Sequence, residues 1–349
     1  MKVFVSIPAM SEVKKTFIDE SATSYIEERF EVKYSEIEDR QLNAEEFKEA
    51  VKDCEAVITG WGHIQITPEM VEGTKLKYIL HTGGSVANVT HPDIFDMGIR
   101  VISGNPVYAE SVAEGTICYM LTGLRKTIKT INLVREGGWK IPKGDDPSDY
   151  WRYSDGAQEG LLDKTVGIVS LGAISRFLID MLKPFHVKIK IYSGHKIDEE
   201  YLKEHEAEQV SLNEIFSTCD IVSVHSAMTE KTRGMIGKEQ FDLLRDGALF
   251  VNTARGRIIK EDEMIEALKE NRFNAVLDVY YSEPLKQDNP LRYLPNVIPF
   301  PHCGGPTTDR RSTVTKRIAD TALEMEKNPS FTNDFEITKA AAARMTVSG

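Results

Sequence analysis

Cysteine is scarce in the sequence, and long apolar runs are absent from it. The four cysteines are widely spaced, so none forms the Cys-x-x-Cys pattern of zinc sites and redox pairs: Cys54, Cys118, Cys219 and Cys303. No segment approaches the roughly 20 consecutive apolar residues of a membrane span, and the opening MKVFVSIPAM lacks the features of a secretory signal. We therefore expect reduced thiols, no bound metal, no membrane partner and a cytoplasmic protein.

Positive charge is also in deficit. The chain has 43 Lys and Arg residues against 54 Asp and Glu residues, a net charge of −11, and no run of like charge concentrates either sign. This balance argues against a general nucleic-acid surface, so no nucleic-acid partner is expected. The overall composition, with 41% hydrophobic and 28% charged residues, is ordinary for a folded protein. The length of 349 residues suffices for about two domains.

Short β-branched runs alternate with helical stretches along the chain. This rhythm is typical of βαβ units and predicts an α/β fold with two Rossmann-like parallel-sheet domains. The predicted strands cover residues 2–7, 56–59, 77–81, 100–103, 165–170, 188–192, 220–225, 248–252 and 274–278.

Two proline-containing segments mark where the chain is predicted to change domain, near residues 104–107 and 299–301. We predict a flavodoxin-like substrate domain, residues 1–105 plus 300–349, and a dinucleotide-binding Rossmann domain, residues 106–299. The active site is expected in the cleft between them, since parallel sheets bind ligands at the carboxyl ends of their strands.

An aromatic arm follows a long helix predicted over residues 110–136. The arm contains Trp139, Tyr150, Trp151 and Tyr153 in a loop rich in Gly, Pro and Asp. Large aromatic side chains in a polar loop either pack into their own domain or cover a neighbouring subunit, and the sequence leaves both interpretations open.

A glycine turn links the strand at residues 165–170 to an apolar-periodic helix. Gly172 stands at the middle position of the G-x-G-x-x-G fingerprint, whose helix-terminal amides bind a pyrophosphate, while Ser170 and Ser175 replace the outer glycines. An ordinary strand-turn-helix unit with one Gly gives the same pattern, so this signal is weak by itself.

Three charged or titratable residues follow later strands. Arg255 comes after the strand at 248–252, Glu283 after the strand at 274–278, and His302 lies 19 residues beyond Glu283. Each has an ordinary structural alternative, as a surface ion pair, a turn cap or a hydrogen-bonded histidine.

Together these residues resemble one family, the D-isomer-specific 2-hydroxyacid dehydrogenases, which include phosphoglycerate dehydrogenases and glyoxylate/hydroxypyruvate reductases. The resemblance extends over nearly the whole chain. It includes the Arg, Glu, His order, the SVAE helix start at residues 111–114, the strand at 222–225, and the glycine-rich substrate loop at 81–86.

The resemblance implies an oxidoreductase that moves hydride between NAD(P)H and a small 2-oxo or D-2-hydroxy acid. Arg255 would bind the substrate carboxylate and polarise the 2-oxo group, because a guanidinium is forked and permanently charged. His302 would be the general acid and base, with Glu283 favouring its imidazolium form. The amides of Gly84 and Ser85 would share the substrate carboxylate.

The cofactor site implied by the resemblance lies along the second sheet. Asp278 would bind the nicotinamide carboxamide, and the other expected contacts are Ser170, Gly172, Ala173, Ile174, Ser193, His195, Lys196, His225 and Thr253. The chain departs from the family where Ala173 and Ala227 replace common Arg and Pro residues, and where serines replace glycines. These departures concern cofactor affinity more than the chemistry.

NAD(H) and NADP(H) are both possible cofactors. An NAD-specific site usually has an acidic residue at the end of the second strand, whereas this chain has Ser193 there, followed by His195 and Lys196. Because no carboxylate would repel a 2′-phosphate, the sequence slightly favours NADP(H).

Several points stay open at this stage. Trp61 either faces the variable end of the substrate or packs into the core, and His63 is interpreted as a solvated loop residue. The resemblance also implies a homodimer. The alternative function is an NAD(P)-binding sensor or corepressor-like interaction protein on the same fold, which the incomplete glycine pattern favours and the complete Arg, Glu, His set opposes.

Overall fold

The structure is a computed structural model that describes residues 1–137 and 158–345. It divides into two compact units, residues 1–111 with 305–349, and residues 112–304. The boundaries expected from the sequence, at 105/106 and 299/300, fall a few residues earlier than these. The aromatic arm with Trp139, Tyr150, Trp151 and Tyr153 lies outside the described residues.

The strands and helices alternate along the chain, as the βαβ rhythm predicts. The strands are β1 (Lys2–Val5), β2 (Glu31–Tyr34), β3 (Ala56–Thr59), β4 (Tyr78–His81), β5 (Arg100–Ser103), β6 (Thr165–Val169), β7 (Lys188–Tyr192), β8 (Ala207–Gln209), β9 (Ile221–Val224), β10 (Leu249–Asn252), β11 (Asn274–Leu277), β12 (Val297–Pro299) and β13 (Glu336–Ile337). The helices are α1 (Glu12–Phe17), α2 (Glu20–Glu27), α3 (Ala44–Val51), α4 (Pro68–Val71), α5 (Asn105–Leu124), α6 (Thr127–Arg135), α7 (Ala173–Leu182), α8 (Glu199–Glu204), α9 (Leu212–Thr218), α10 (Lys238–Leu243), α11 (Glu261–Lys269), α12 (Thr308–Lys327) and α13 (Lys339–Ala342).

The first unit is built on a six-stranded sheet in the order β13-β5-β4-β3-β1-β2. All neighbours pair in parallel except β13, which pairs antiparallel with β5. Successive strand residues point to opposite faces, so Val3 and Val5 pack against one group of helices and Phe4 against another. The order of the five parallel strands is that of a flavodoxin-like sheet.

The second unit contains a seven-stranded parallel sheet in the order β12-β11-β10-β9-β6-β7-β8. The chain runs from β6 to β8 in one direction and continues from β9 to β12 on the other side of β6. This reversal is the topological switch point of a doubly wound sheet, where ligands bind at the carboxyl ends of the strands. The predicted α/β class with two Rossmann-like parallel sheets is confirmed.

The prediction of one long helix over residues 110–136 is wrong in one respect, because two helices occupy this stretch. Helix α5 ends at Leu124, and Lys126 adopts a left-handed φ of 48° before α6 begins at Thr127. A non-glycine residue in the left-handed region redirects the chain, and the amino-acid pattern does not reveal it.

Candidate active site

Arg255 lies in a loop that is fixed by its neighbours at the end of β10. The buried Asn252 accepts a hydrogen bond from the Ala254 amide (3.1 Å) and donates one to the Arg255 carbonyl (3.3 Å). Gly256 follows, and a Cβ there would lie 1.9 Å from the carbonyl carbon of Tyr280, so no other residue fits. The backbone around Arg255 is therefore held firmly.

The Arg255 side chain is half-buried and donates a hydrogen bond from Nη1 to the Ala254 carbonyl (2.7 Å). Burial lowers the pKa of Arg255 from its usual 12.5, and the nearby Glu283 carboxylate opposes this effect. A guanidinium remains charged at neutral pH under such a shift. Arg255 thus offers a permanent cation at the carboxyl edge of the sheet.

His302 and Glu283 form a close pair in the same unit. Nδ1 of His302 lies 2.6 Å from Oε2 of Glu283, and Oε1 of Glu283 accepts the Tyr280 amide at 3.0 Å. This arrangement leaves Nε2 of His302 without a hydrogen-bond partner among the described residues. A ring held through Nδ1 can give or take a proton at Nε2.

The pKa values of this pair move in opposite directions. The hydrogen bond to Glu283 raises the pKa of His302 above its usual 6.5, although burial opposes the shift. Burial by itself would raise the pKa of Glu283, but the hydrogen bonds from His302 and Tyr280 lower it below its usual 4.5 overall. Both shifts therefore favour the charged forms of the pair, the imidazolium and the carboxylate.

Asp278 holds the loop that carries His302. Its side chain is only 2% exposed, and its Oδ1 accepts the Cys303 amide (2.8 Å) and the Tyr119 hydroxyl (3.1 Å). Oδ2 accepts the Gly304 amide (2.9 Å), and a Cβ on Gly304 would lie 2.8 Å from this oxygen. Sequence reasoning missed this structural role, for which Gly304 was the only signal. The predicted nicotinamide contact of Asp278 stays a prediction.

The turn between β6 and α7 is open to a ligand. In the part of the chain that the structure describes, no side chain caps the amino terminus of α7, and no atom lies within 4 Å of the position that a Cβ on Gly172 would occupy. Gly172 and Ala173 are exposed, while Ile174 is half-buried. Free helix-terminal amides beside an uncrowded glycine suit a pyrophosphate, so these residues fit a dinucleotide.

The two serines that replace fingerprint glycines have different environments. Ser170 has a left-handed φ of 84°, which is the conformation that a glycine adopts without strain. Ser175 is buried in α7 and donates a hydrogen bond to the Ser170 carbonyl (2.6 Å). The turn thus keeps its shape with serine at both positions.

The segment after β7 is a small polar turn. Oγ of Ser193 accepts the His195 amide at 3.2 Å, which leaves its hydroxyl proton available to a ligand. Lys196 pairs with Glu199 at 2.7 Å, with both side chains 80% exposed. An exposed pair contributes at most about 1 kcal/mol, so Lys196 can exchange Glu199 for another anion.

Two further residues predicted to contact the cofactor are buried. Nε2 of His225 forms a hydrogen bond with Ser223 Oγ (2.8 Å). Nδ1 of His225 is buried without a partner among the described atoms. Burial lowers the pKa of His225 to about 4. Oγ1 of Thr253 lies 3.3 Å from Oγ1 of Thr116. The unpartnered Nδ1 of a neutral histidine is consistent with a ligand contact, which stays a prediction.

The predicted substrate loop lies in the first unit. It follows β4 and is tied down by hydrogen bonds from the Gly104 amide to the Gly83 carbonyl (3.0 Å) and from Ser103 Oγ to the Gly84 carbonyl (3.3 Å). Gly83 is buried, and Gly84 and Ser85 are half-buried. The amides of this loop are thus held in a fixed backbone conformation.

Trp61 and His63 differ sharply in exposure. Trp61 is 44% exposed, so it is not a core residue, and its ring packs edge-on against Phe17 (5.1 Å between centroids). His63 was interpreted as solvated, and this is wrong. It is buried, with Nε2 2.8 Å from Ser6 Oγ and Nδ1 2.7 Å from the Ile64 carbonyl, and burial lowers its pKa to about 4.

The predicted residues thus fall into two groups. Arg255, Glu283, His302 and Asp278 come together at the carboxyl edge of the second sheet, whereas the substrate loop and Trp61 belong to the first unit. Within residues 1–137 and 158–345 no group of three or more His, Cys, Asp or Glu side chains could hold a metal ion. No helix in this part of the chain is long and apolar enough to cross a membrane.

Comparison with known proteins shows the family and the fold of the chain. The profile of the D-isomer specific 2-hydroxyacid dehydrogenase NAD binding domain matches residues 117–304. The chain is 28% identical to a glyoxylate reductase of Korarchaeum cryptofilum, over 92% of this chain and 95% of the relative. It is 31% identical to the human glyoxylate reductase/hydroxypyruvate reductase, over 72% of this chain and 74% of the relative. The fold matches the apo-structure of D-lactate dehydrogenase from Escherichia coli with a TM-score of 0.69 and 23% identity, covering 97% and 100% of the two chains.

Proposed function

The chain belongs to the D-isomer-specific 2-hydroxyacid dehydrogenase family, and we propose that Arg255, Glu283 and His302 carry out its chemistry. The reaction is hydride transfer between a nicotinamide cofactor and a small 2-oxo or D-2-hydroxy acid. The alternative function, a cofactor-binding sensor, has no support, since the relatives reported above are named as reductases and a dehydrogenase.

A bound nicotinamide would supply the hydride for reduction, and the protein's own residues supply charge and a proton. Arg255 binds the substrate carboxylate through its forked donors and polarises the 2-oxo group. Nε2 of His302 donates a proton to the carbonyl oxygen during reduction and accepts it during oxidation. Glu283 stabilises the imidazolium through Nδ1. In the first unit, the amides of Gly84 and Ser85 are the proposed hydrogen-bond donors to a substrate carboxylate.

The observation that carries this proposal is the 2.6 Å contact between His302 and Glu283, which leaves Nε2 free. The test is NADH and NADPH oxidation with a panel of small 2-oxo acids. His302→Gln should lower kcat about 100-fold or more, the usual effect of removing a general acid-base group. His186→Asn, at an exposed histidine of the same unit, serves as the control. A kcat within a few-fold of wild type for His302→Gln would refute the assignment of the proton donor.

Acceptance of NADPH, with a slight preference over NADH, is also proposed. Its support is the absence of a carboxylate at Ser193 and the presence of Lys196, whose only described partner is the exposed Glu199. Ser193→Asp should shift kcat/KM toward NADH by repelling the 2′-phosphate, measured at fixed ionic strength because salt screens the effect. A wild type that uses NADH tenfold better than NADPH would contradict the preference.

We further propose a homodimer. Helix α6 has no buried residue, and its exposed apolar side chains recur every three residues: Ile128, Ile131 and Val134, at 45%, 41% and 48% exposure. Such a face marks an interface in many proteins. Ile131→Asp should convert a dimer to a monomer in light scattering, with Thr130→Asp on the same helix as control. A wild-type mass of 39.3 kDa would contradict the proposal.

A cytoplasmic location is proposed from the cysteines. All four are free thiols, two of them exposed, as is usual in a reducing compartment.

A further inference from the structure

Arg311, in the first turn of α12, is a half-buried cation whose charge is not neutralised by a neighbour. Its Nε donates to the Pro306 carbonyl and its Nη1 to Thr16 Oγ1, both at 3.3 Å. Within the described ranges of the chain no Asp or Glu pairs with it. The adjacent Arg310 behaves differently, since it pairs with Glu110 at 2.6 Å. Of the five N–H donors of a guanidinium, those on Arg311 are only partly used.

Aromatic rings of the first unit hold this guanidinium in place. Cζ of Arg311 lies 5.5 Å from the ring centroids of both Phe17 and Trp61. These two rings meet edge-on, and Tyr108 packs against both of them, at 6.5 Å from Phe17 and 6.2 Å from Trp61. Stacking on aromatic faces orients a guanidinium and partly removes it from water, which strengthens its attraction for an anion.

The aromatic cluster of Phe17, Trp61 and Tyr108 borders the substrate loop. A Cβ on Gly83 would lie 3.1 Å from Nε1 of Trp61, and a Cβ on Gly84 would lie 3.4 Å from the Tyr108 ring. Trp61 therefore has the loop on one side and Arg311 on another. Trp61 is 44% exposed, so part of its ring is accessible to a small molecule.

We propose that Arg311 binds a second anionic group of the substrate, at the end opposite to its 2-oxo acid group. The inference rests on the proposed function, in which the amides of the substrate loop bind the first carboxylate. The favoured substrates are then 2-oxo acids with a terminal carboxylate or phosphate at the end opposite to that carboxylate. Trp61 forms the wall along which the connecting carbons lie.

The decisive variant is Arg311→Met, which keeps an apolar stem between the rings and removes the charge. The probes are 2-oxoglutarate and 3-phosphohydroxypyruvate, compared with the uncharged-ended 2-oxobutyrate and hydroxypyruvate. Wild type should show a kcat/KM at least tenfold higher for an anionic-ended acid than for its uncharged counterpart. Arg311→Met should lose at least tenfold with the anionic-ended acids and less than threefold with the others. The two anionic probes distinguish a carboxylate site from a phosphate site.

Arg310→Met is the matched control, because it removes a neighbouring, already paired cation from the same helix, and it should change neither ratio. Arg311→Lys, which retains the charge without the fork, should restore part of the loss and covers the case in which Arg311→Met folds poorly. Equal losses for all four acids, or a wild type without preference for an anionic end, would overturn the proposal.

A binding measurement separates this proposal from the proposed reaction. Calorimetry with the oxidised cofactor present reports the Kd of each acid without turnover. Tighter binding of 2-oxoglutarate than of 2-oxobutyrate, lost in Arg311→Met, would support the anion site even if no acid were reduced. Turnover of the acids with equal Kd values would instead refute the anion site and leave the reaction intact.

Discussion

Ser170 offers a quantitative test of the fingerprint turn. Its φ of 84° places an L-residue in the left-handed region, where contact of Cβ with the backbone costs about 1–2 kcal/mol. Ser170→Gly removes this contact and keeps both backbone hydrogen bonds, from its amide to the Tyr192 carbonyl (2.7 Å) and from Ser175 Oγ to its carbonyl (2.6 Å). Glycine loses more conformational entropy on folding than serine does, and this loss offsets about 0.5–1 kcal/mol of the gain from removing the contact. The expected net gain is about 1 kcal/mol.

Differential scanning calorimetry is the assay. For a unit of the size of residues 112–304, a gain of about 1 kcal/mol corresponds to a rise in Tm of about 2–4 °C. The control is Ser217→Gly, at an exposed serine in α9 of the same unit, where glycine should lower stability by about 0.5 kcal/mol. The two glycine substitutions should therefore move Tm in opposite directions.

A fall in Tm for Ser170→Gly, or a change equal to that of Ser217→Gly, would refute the strain argument. It would mean that the serine side chain stabilises the turn by more than its backbone conformation costs.

Three further outcomes are expected. Glu283→Gln should lower the pKa of His302, so the pH above which the reduction rate falls should move to lower pH, and an unchanged kcat/KM profile would contradict the role of the pair. Gly256→Ala should abolish activity with both cofactors, because its Cβ would lie 1.9 Å from the Tyr280 carbonyl carbon, whereas Gly194→Ala, at an open position, should not. Since the folded-state pKa of His63 is about 4 against 6.5 for an ordinary histidine, the contribution of His63 to stability is complete above pH 6.5 and falls by up to about 3 kcal/mol as pH drops to 4. His63→Gln should flatten this part of the curve of unfolding free energy against pH, and an unchanged slope would refute the assignment.

Local patterns predicted the parallel sheets well, because buried strands need β-branched runs whatever the details of their packing. Three predicted strands, 56–59, 100–103 and 188–192, have the bounds seen in the structure, and the other six differ by one or two residues at their ends. The strands β2, β8, β12 and β13 were not predicted. The break between α5 and α6 was not predictable, because it depends on a left-handed lysine, and the sequence has neither glycine nor proline at that position. Backbone reversals of this kind are decided by packing beyond the local sequence.

In the candidate site, too, the sequence indicated which residues to consider but did not reveal which residues they contact. The proposed roles of Arg255, Glu283 and His302 come from their resemblance to the family's order, and each residue follows a strand whose carboxyl end faces the same edge of the sheet. The burial of His63 was not readable, since Ser6, which binds its Nε2, is 57 residues away in the chain.

Asp278 shows why the contacts of a site residue cannot be predicted from the local sequence. The family resemblance implies a ligand contact for Asp278, and its two oxygens accept the amides of Cys303 and Gly304, 25 and 26 residues later. A carboxylate bonded in this way fixes the loop on which His302 sits, so the proposed proton donor depends on an interior residue that no local pattern connects to it. The residue types that do chemistry are thus visible in the sequence, whereas the groups that hold them are chosen by the tertiary fold.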